Sequence, residues 1–246
     1  MNALRALLFY SALIPLTLLF GTIGLLIRPL NADLRYRIVT TWTHISLWLL
    51  ESLCGVRCRV HGLEHLPDTP SVVLCKHQSA WETMILQRYL PRQTWVMKQE
   101  LMRIPFLGWG LGATDPVPVD RSAGRAALKQ VINDGAQRLA AGYWLVIFPE
   151  GTRVPVGESG RYARSGAALA LEAGCPIVPV AHNAGLFWPR NSFAKVPGTI
   201  DLVIGPVLET AGRNSTALTA AAEAWIETTS RQLLEPPAQE DSESSG

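Results

Sequence analysis

Tyr143-Trp144-Leu145-Val146-Ile147-Phe148-Pro149-Glu150-Gly151-Thr152-Arg153 is the stretch on which the fold turns. Its first six residues are apolar without alternation, the pattern of a strand buried on both faces of a parallel sheet. Pro149 cannot donate to a ladder and ends the strand. Gly151 then permits a sharp turn that holds an acid and an arginine in the bend. Comparable apolar runs at Arg57–His61, Ser71–Cys75, Thr94–Met97, Pro176–Val180 and Thr199–Ile204 read as further strands. Ala80–Leu90, Ser122–Ala141, Ala163–Ala173 and Ser215–Leu234 read as helices. This alternation predicts an α/β fold over residues 55–234, a mixed but mostly parallel sheet flanked by helices.

The amino terminus differs in kind. Ala6 to Ile27 carries no charge and is bounded by Arg5 and Arg28. As a helix it is long enough to cross a bilayer. Pro15, Gly21 and Gly24 permit a kink or a close helix contact. A second apolar stretch, Ile38 to Leu53, contains His44 and Glu51 and is amphipathic. Arg28, Arg35 and Arg37 lie in the connection. Residues 1–54 therefore read as a membrane-associating helical hairpin that either enters the bilayer or lies on it. Residues 235–246 are rich in Pro, Ser, Gln and acidic residues and read as a disordered tail.

Composition points the same way. The chain is 48% hydrophobic and 17% charged, against roughly 25% charged in soluble domains. A net charge of +2 excludes a strongly basic nucleic-acid binder as the default. Cys54, Cys58, Cys75 and Cys175 form no secreted framework, which favours a reducing compartment. Cys54 and Cys58 precede His61 and His65, but two residues separate Cys58 from His61, where a zinc finger needs about a dozen. No metal site is expected.

Four stations lie where a predicted strand gives way to a loop, the edge at which open α/β sheets bind ligands. The first is Lys76-His77-Gln78-Ser79-Ala80-Trp81-Glu82. With His77 ahead of the helix, the chain can turn so that Glu82 meets one ring nitrogen and leaves the other free to take a proton. Ser79 with Glu82 three residues on is also a capping-box pattern, so the glutamate has two possible roles. Ser79 lacks the G-x-S-x-G elbow of a nucleophile. The second station runs from Lys98 to Arg121: Lys98–Leu101 ends a strand, Pro105–Trp109 follows as an apolar turn, and Pro118–Arg121 opens a long helix. Lys98 and Arg121 suit an anionic head group, although Asp120 and Arg121 could equally form a local surface pair. The third is the turn Phe148–Arg153, whose arginine can hold a phosphate bidentately. No G-x-x-x-x-G-K-[ST] occurs, so nucleotide-triphosphate hydrolysis has little support. The fourth is Ile177-Val178-Pro179-Val180-Ala181-His182-Asn183, expected to shape a pocket or seat an apolar chain without catalysing.

Together the stations resemble the signature blocks of the glycerolipid acyltransferase family, of the 1-acyl-sn-glycerol-3-phosphate acyltransferase type. His77 and Glu82 resemble the family's H-x-x-x-x-D with one change. Phe148–Arg153 is similar to F-P-E-G-T-R in full. The second block resembles Lys98–Glu100, Pro105–Gly108 and Val119–Arg121, and the fourth resembles Val178-Pro179-Val180. The order holds from about His61 to Pro206. The resemblance implies that His77 is the general base and Glu82 its orienting carboxylate. The sn-2 hydroxyl of a lysophosphatidate would attack the thioester of acyl-CoA or acyl-carrier protein directly, giving phosphatidate. Lys98, Arg121, Glu150, Gly151, Thr152 and Arg153 would form the substrate-binding set. No metal or cofactor is implied, because a thioester is already activated. The implied setting is a bacterial inner membrane, with the catalytic domain on its cytoplasmic face. Acylation of another lysolipid, or a lipid-binding scaffold without catalysis, stays open, since glutamate is one methylene longer than the family's aspartate.

Overall fold

The computed structural model describes residues 1–235. The tail expected from residue 235 onward lies, after that first residue, outside the described residues.

The chain begins with two long helices, α1 (Asn2–Leu26) and α2 (Ala32–Cys54). Asn31 caps α2 by accepting the Leu34 N–H, and Gly55 ends it in the left-handed region at φ 69°. The α/β part follows as β1 (Val56–His61), β2 (Val72–Cys75), α3 (Trp81–Tyr89), β3 (Gln93–Lys98), α4 (Leu107–Gly112) and β4 (Val117–Val119). It continues through α5 (Arg125–Ala140), β5 (Trp144–Ile147), α6 (Ser165–Ala173), β6 (Ile177–His182), β7 (Gly198–Ile204) and α7 (Ser215–Gln232).

The seven strands form one sheet in the order β1-β7-β6-β2-β5-β3-β4. Every neighbouring pair is parallel except β6 and β7. The central strands β2, β5 and β6 are buried at every position, which is why their sequences are apolar without alternation. The pleat divides their side chains between two cores. Val73 and Cys75 of β2 face α2 and α3, packing with Leu50, Trp81 and Ile85. Val72 and Leu74 face α5, α6 and α7, packing with Val131, Leu169 and Ile226. Phe9 of α1 joins the first core, so the hairpin is docked on the same face of the sheet as α3.

Two segments differ from the expectation. Pro105–Trp109 is not only a turn: Leu107–Gly112 winds into α4. Its glycine-rich sequence is a poor helix former, and packing against α1 supplies what propensity lacks. A Cβ on Gly21 would lie 2.3 Å from the Phe106 carbonyl oxygen, and one on Gly24 would lie 2.8 Å from the Gly110 Cα. These bare positions let the two backbones meet. Pro118-Val119 does not open the long helix. It belongs to edge strand β4, where a missing N–H is tolerated, and a 3-10 turn at Arg121–Ala123 precedes α5.

The α1 helix is long and apolar enough to cross a membrane, with mean hydropathy 2.0 and only 17% of its most apolar window buried. Leu4, Leu7, Leu8, Ile14, Leu18 and Leu26 stand exposed. A contiguous apolar face of this kind is a membrane-association surface.

The α1–α4 contact gives a direct test. Gly21→Ala should lower stability by about 1–3 kcal/mol, the usual cost of overpacking. Gly110→Ala, whose added methyl would meet its nearest neighbour at 3.6 Å, should cost little. Thermal unfolding of both variants in detergent checks the contrast.

Candidate active site

The parallel pairing of β2 with β5 sets Leu74 beside Ile147. The loops leaving these two strands therefore start side by side. One carries His77 and the other Phe148, and their rings stack at 4.1 Å with planes 18° apart. The His77 carbonyl accepts the Val154 N–H at 2.8 Å, which joins the two loops a second time.

Glu82, in the first turn of α3, accepts a hydrogen bond from His77 Nδ1–H at 2.8 Å. The same oxygen, Oε1, accepts the N–H groups of Gln78 and Ser79 at 2.9 and 2.8 Å. The glutamate thus fixes the imidazole and satisfies helix-start donors at once. Ser79 contributes its hydroxyl as acceptor for the Trp81 N–H at 3.2 Å, the one cap that the segment draws from this serine. Burial would raise the Glu82 carboxyl, but His182, His77 and the Ser79 N–H outweigh it and hold the carboxyl below its ordinary value. With Nδ1 donating to the carboxylate, Nε2 of His77 carries the free lone pair.

His182, at the end of β6, lies fully buried behind this pair, its Nε2 at 3.8 Å from Glu82 Oε2. It donates from Nε2 to the Lys76 carbonyl at 2.9 Å and accepts the Ala184 N–H at Nδ1, 3.2 Å away. Burial lowers its pKa, with Glu82 opposing the shift. Its place is beneath the site, and none of Ile177–Asn183 lines the cavity described next.

His77 opens on a cavity of about 590 Å³, within the usual range of small-molecule sites. Lys98, Arg121, Arg153 and Arg190 line it, together with apolar side chains that include Leu13 of α1, Trp42 of α2, Met84, Trp95 and Leu107. Gly151 and Thr152 also line it. Gly151 sits at φ 69°, in the left-handed region that glycine tolerates. Burial lowers the Arg121 pKa while Glu100 opposes the shift, and the guanidinium remains charged at neutral pH.

Residues 57–183 match the family model described as Acyltransferase. A 1-acyl-sn-glycerol-3-phosphate acyltransferase of Pseudomonas aeruginosa is 43% identical over 94% of this chain and 92% of that protein. The chain belongs to the acyltransferase family. A chloroplast 1-acyl-sn-glycerol-3-phosphate acyltransferase of Arabidopsis thaliana is 27% identical over 68% of this chain, which spans 46% of that longer protein. The crystal structure of the 1-acyl-sn-glycerophosphate acyltransferase from Thermotoga maritima shares the fold, with TM-score 0.79 at 22% identity, covering 96% of this chain and 97% of that one.

Within the acyltransferase, the structure brings His77, Lys98, Arg121, Gly151, Thr152 and Arg153 to one cavity. Glu150 is placed differently from the expectation that it contacts substrate. Its side chain is 0% exposed and pairs with Lys76 Nζ at 2.7 Å. Its second oxygen accepts the His77 backbone N–H at 3.0 Å. Both oxygens are turned inward, away from the cavity. Arg190 and Asn191 line the cavity without having been singled out in the sequence. The pairing of a cation with a turn-former in Trp188-Pro189-Arg190-Asn191 was the available signal. Arg190 also donates to the Arg153 carbonyl at 2.9 Å.

The Glu82 shift predicts a pH dependence of stability. A carboxyl depressed in the folded state contributes stability above its unfolded pKa and loses it as pH falls through the lower folded value. Acidifying from about pH 5 should therefore lower the thermal midpoint of the wild type more steeply than that of Glu82→Gln. Equal slopes in the two proteins would contradict the assignment.

Proposed function

We propose that this acyltransferase is a 1-acyl-sn-glycerol-3-phosphate acyltransferase, moving a fatty acyl group from acyl-CoA or acyl-carrier protein to the sn-2 hydroxyl of lysophosphatidate. The observation that carries the reading is the placement of an oriented His77 in a cavity lined by both cationic and apolar side chains. Such a cavity suits a molecule with a phosphate at one end and an acyl chain at the other. The names of the relatives from Pseudomonas aeruginosa and Arabidopsis thaliana agree with it.

In this reading Lys98, Arg121, Arg153 and Arg190 hold the phosphate, with arginine able to bind it through two parallel hydrogen bonds. Nε2 of His77 removes the proton from the acceptor hydroxyl as its oxygen attacks the thioester carbonyl. The tetrahedral intermediate collapses, the C–S bond breaks, and the leaving thiolate recovers the proton from His77. Glu82 stabilises the transient imidazolium and keeps Nδ1 protonated. No acyl-enzyme, metal or cofactor enters these steps. Holding the phosphate turns attack into an oriented reaction, a contribution that reaches several kcal/mol.

The reading places the enzyme at a bacterial inner membrane, with the catalytic domain on the cytoplasmic side. The hairpin lies in the near leaflet. Its contacts with the domain run from Phe9, against Trp188, to Gly24, against α4. A helix docked near both of its ends exposes one apolar face to lipid, which fits interfacial seating. The acyl chain would then pass from the bilayer past Leu13 and Trp42.

His77→Ala should lower acyl transfer to lysophosphatidate by about 10²–10⁴-fold, the span of general-base contributions. Arg153→Ala should act mainly on KM for the acceptor. A strain lacking lysophosphatidate acylation should be rescued by the wild type and not by His77→Ala. Rescue by both would sink the mechanism. Equal turnover of lysophosphatidate and lysophospholipid diesters would overturn the acceptor.

A further inference from the structure

Behind the site lies a buried ionic cluster that the acyl-transfer steps do not use. Lys76 Nζ is 2.7 Å from Glu150 Oε1, 2.7 Å from Glu227 Oε1 and 2.9 Å from the Glu158 carbonyl oxygen. The lysine side chain is 1% exposed, Glu150 0% and Glu227 14%. All three ammonium donors are thereby used. Tyr162 donates its hydroxyl to Glu227 Oε1 at 2.7 Å, and the Gly160 N–H reaches Glu150 Oε1 at 3.2 Å. Glu227 belongs to α7, which contributes nothing to the cavity wall.

The cluster reaches the backbone of His77 through Glu150, and two further groups hold the peptides on either side. Glu150 Oε2 holds the His77 N–H, Val154 N–H holds the His77 carbonyl, and His182 holds the Lys76 carbonyl. His77 sits in a loop, so no ladder or helix fixes these peptides. The same ammonium also grips Glu158 on the far limb of the turn that carries Arg153. A buried ion pair is weak evidence for stability, because desolvation offsets most of its attraction. Its strength is directional: it sets where two loops sit. A site needs its groups held within about 0.5 Å.

We propose that Lys76 and Glu227 are positioning residues for acyl transfer, with α7 anchoring, through Lys76 and Glu150, the peptide that carries the base. The inference rests on His77 being that base.

The test is a double-mutant cycle on the full-length enzyme in lipid or detergent. Glu227→Ala should lower kcat per folded enzyme by about ten- to a hundredfold, the cost of a misplacement near 1 Å. Glu227→Gln keeps an acceptor oxygen for Lys76 and Tyr162 and should restore most of the rate. In a His77→Ala background, Glu227→Ala should cost almost nothing further, since the group it positions is gone. A merely structural role predicts the same fractional loss in both backgrounds, and that result overturns the inference. So does an undiminished kcat in Glu227→Ala. Lys76→Met should reproduce the loss; where it fails to fold, the Glu227 pair decides. Full activity in His77→Ala alone would instead defeat the catalytic reading, a distinguishable outcome.

Discussion

A single carboxylate oxygen, Glu82 Oε1, receives three hydrogen bonds: from the His77 ring and from the backbone of Gln78 and Ser79. The charge is fully buried, and an unpaired buried carboxylate would be costly. Three donors aimed at one atom remove much of that cost. They also impose geometry. The backbone from residue 77 to 79 must wrap around the carboxylate, and the imidazole must present Nδ1 to it. The start of α3, the tautomer of His77 and the direction of its free nitrogen follow from one interaction. The additional methylene of glutamate does not break the contact, because the chain closes on the carboxylate from three sides.

The cavity is a joint product of two parts of the chain. Its cationic residues come from the end of β3 and from the loops beyond β4, β5 and β6, and part of its apolar wall comes from the hairpin and α4. Lys195 ties the two parts together. Buried beside the rings of Tyr10 and Trp188, at 4.1 and 4.4 Å, it connects α1 to the segment that carries Arg190 and Asn191. Burial lowers its pKa to about 8, with Cys54 opposing. The hairpin and the segment beside the site thus share one buried contact.

What the sequence made legible follows from range. Tyr143–Phe148 and Pro176–Val180 read correctly because burial on both faces leaves an uninterrupted apolar run. The placing of His77 and Arg153 just beyond strand ends was legible because strand ends and turn residues are local signals. The segments that escaped depend on distant partners. The Gly-rich Leu107–Gly112 becomes helical only against α1, and Val117–Val119 becomes a strand only beside β3. Glu150 shares a turn with Arg153, yet it faces the opposite way because Lys76, 74 positions earlier, claims it. Nothing near Lys195 or Glu227 marks either as more than a surface charge.

The register of β1 against β7 pairs Val56 with Gly198 and His61 with Val203. That edge closes only after nearly all of the chain exists, and such distant pairings form slowly. The hairpin, by contrast, precedes every strand in the chain and leaves the ribosome before them. The apolar face of α1 is therefore available to lipid while the sheet is still incomplete. A hairpin that seats on lipid at that stage would hold the chain there before its site is complete.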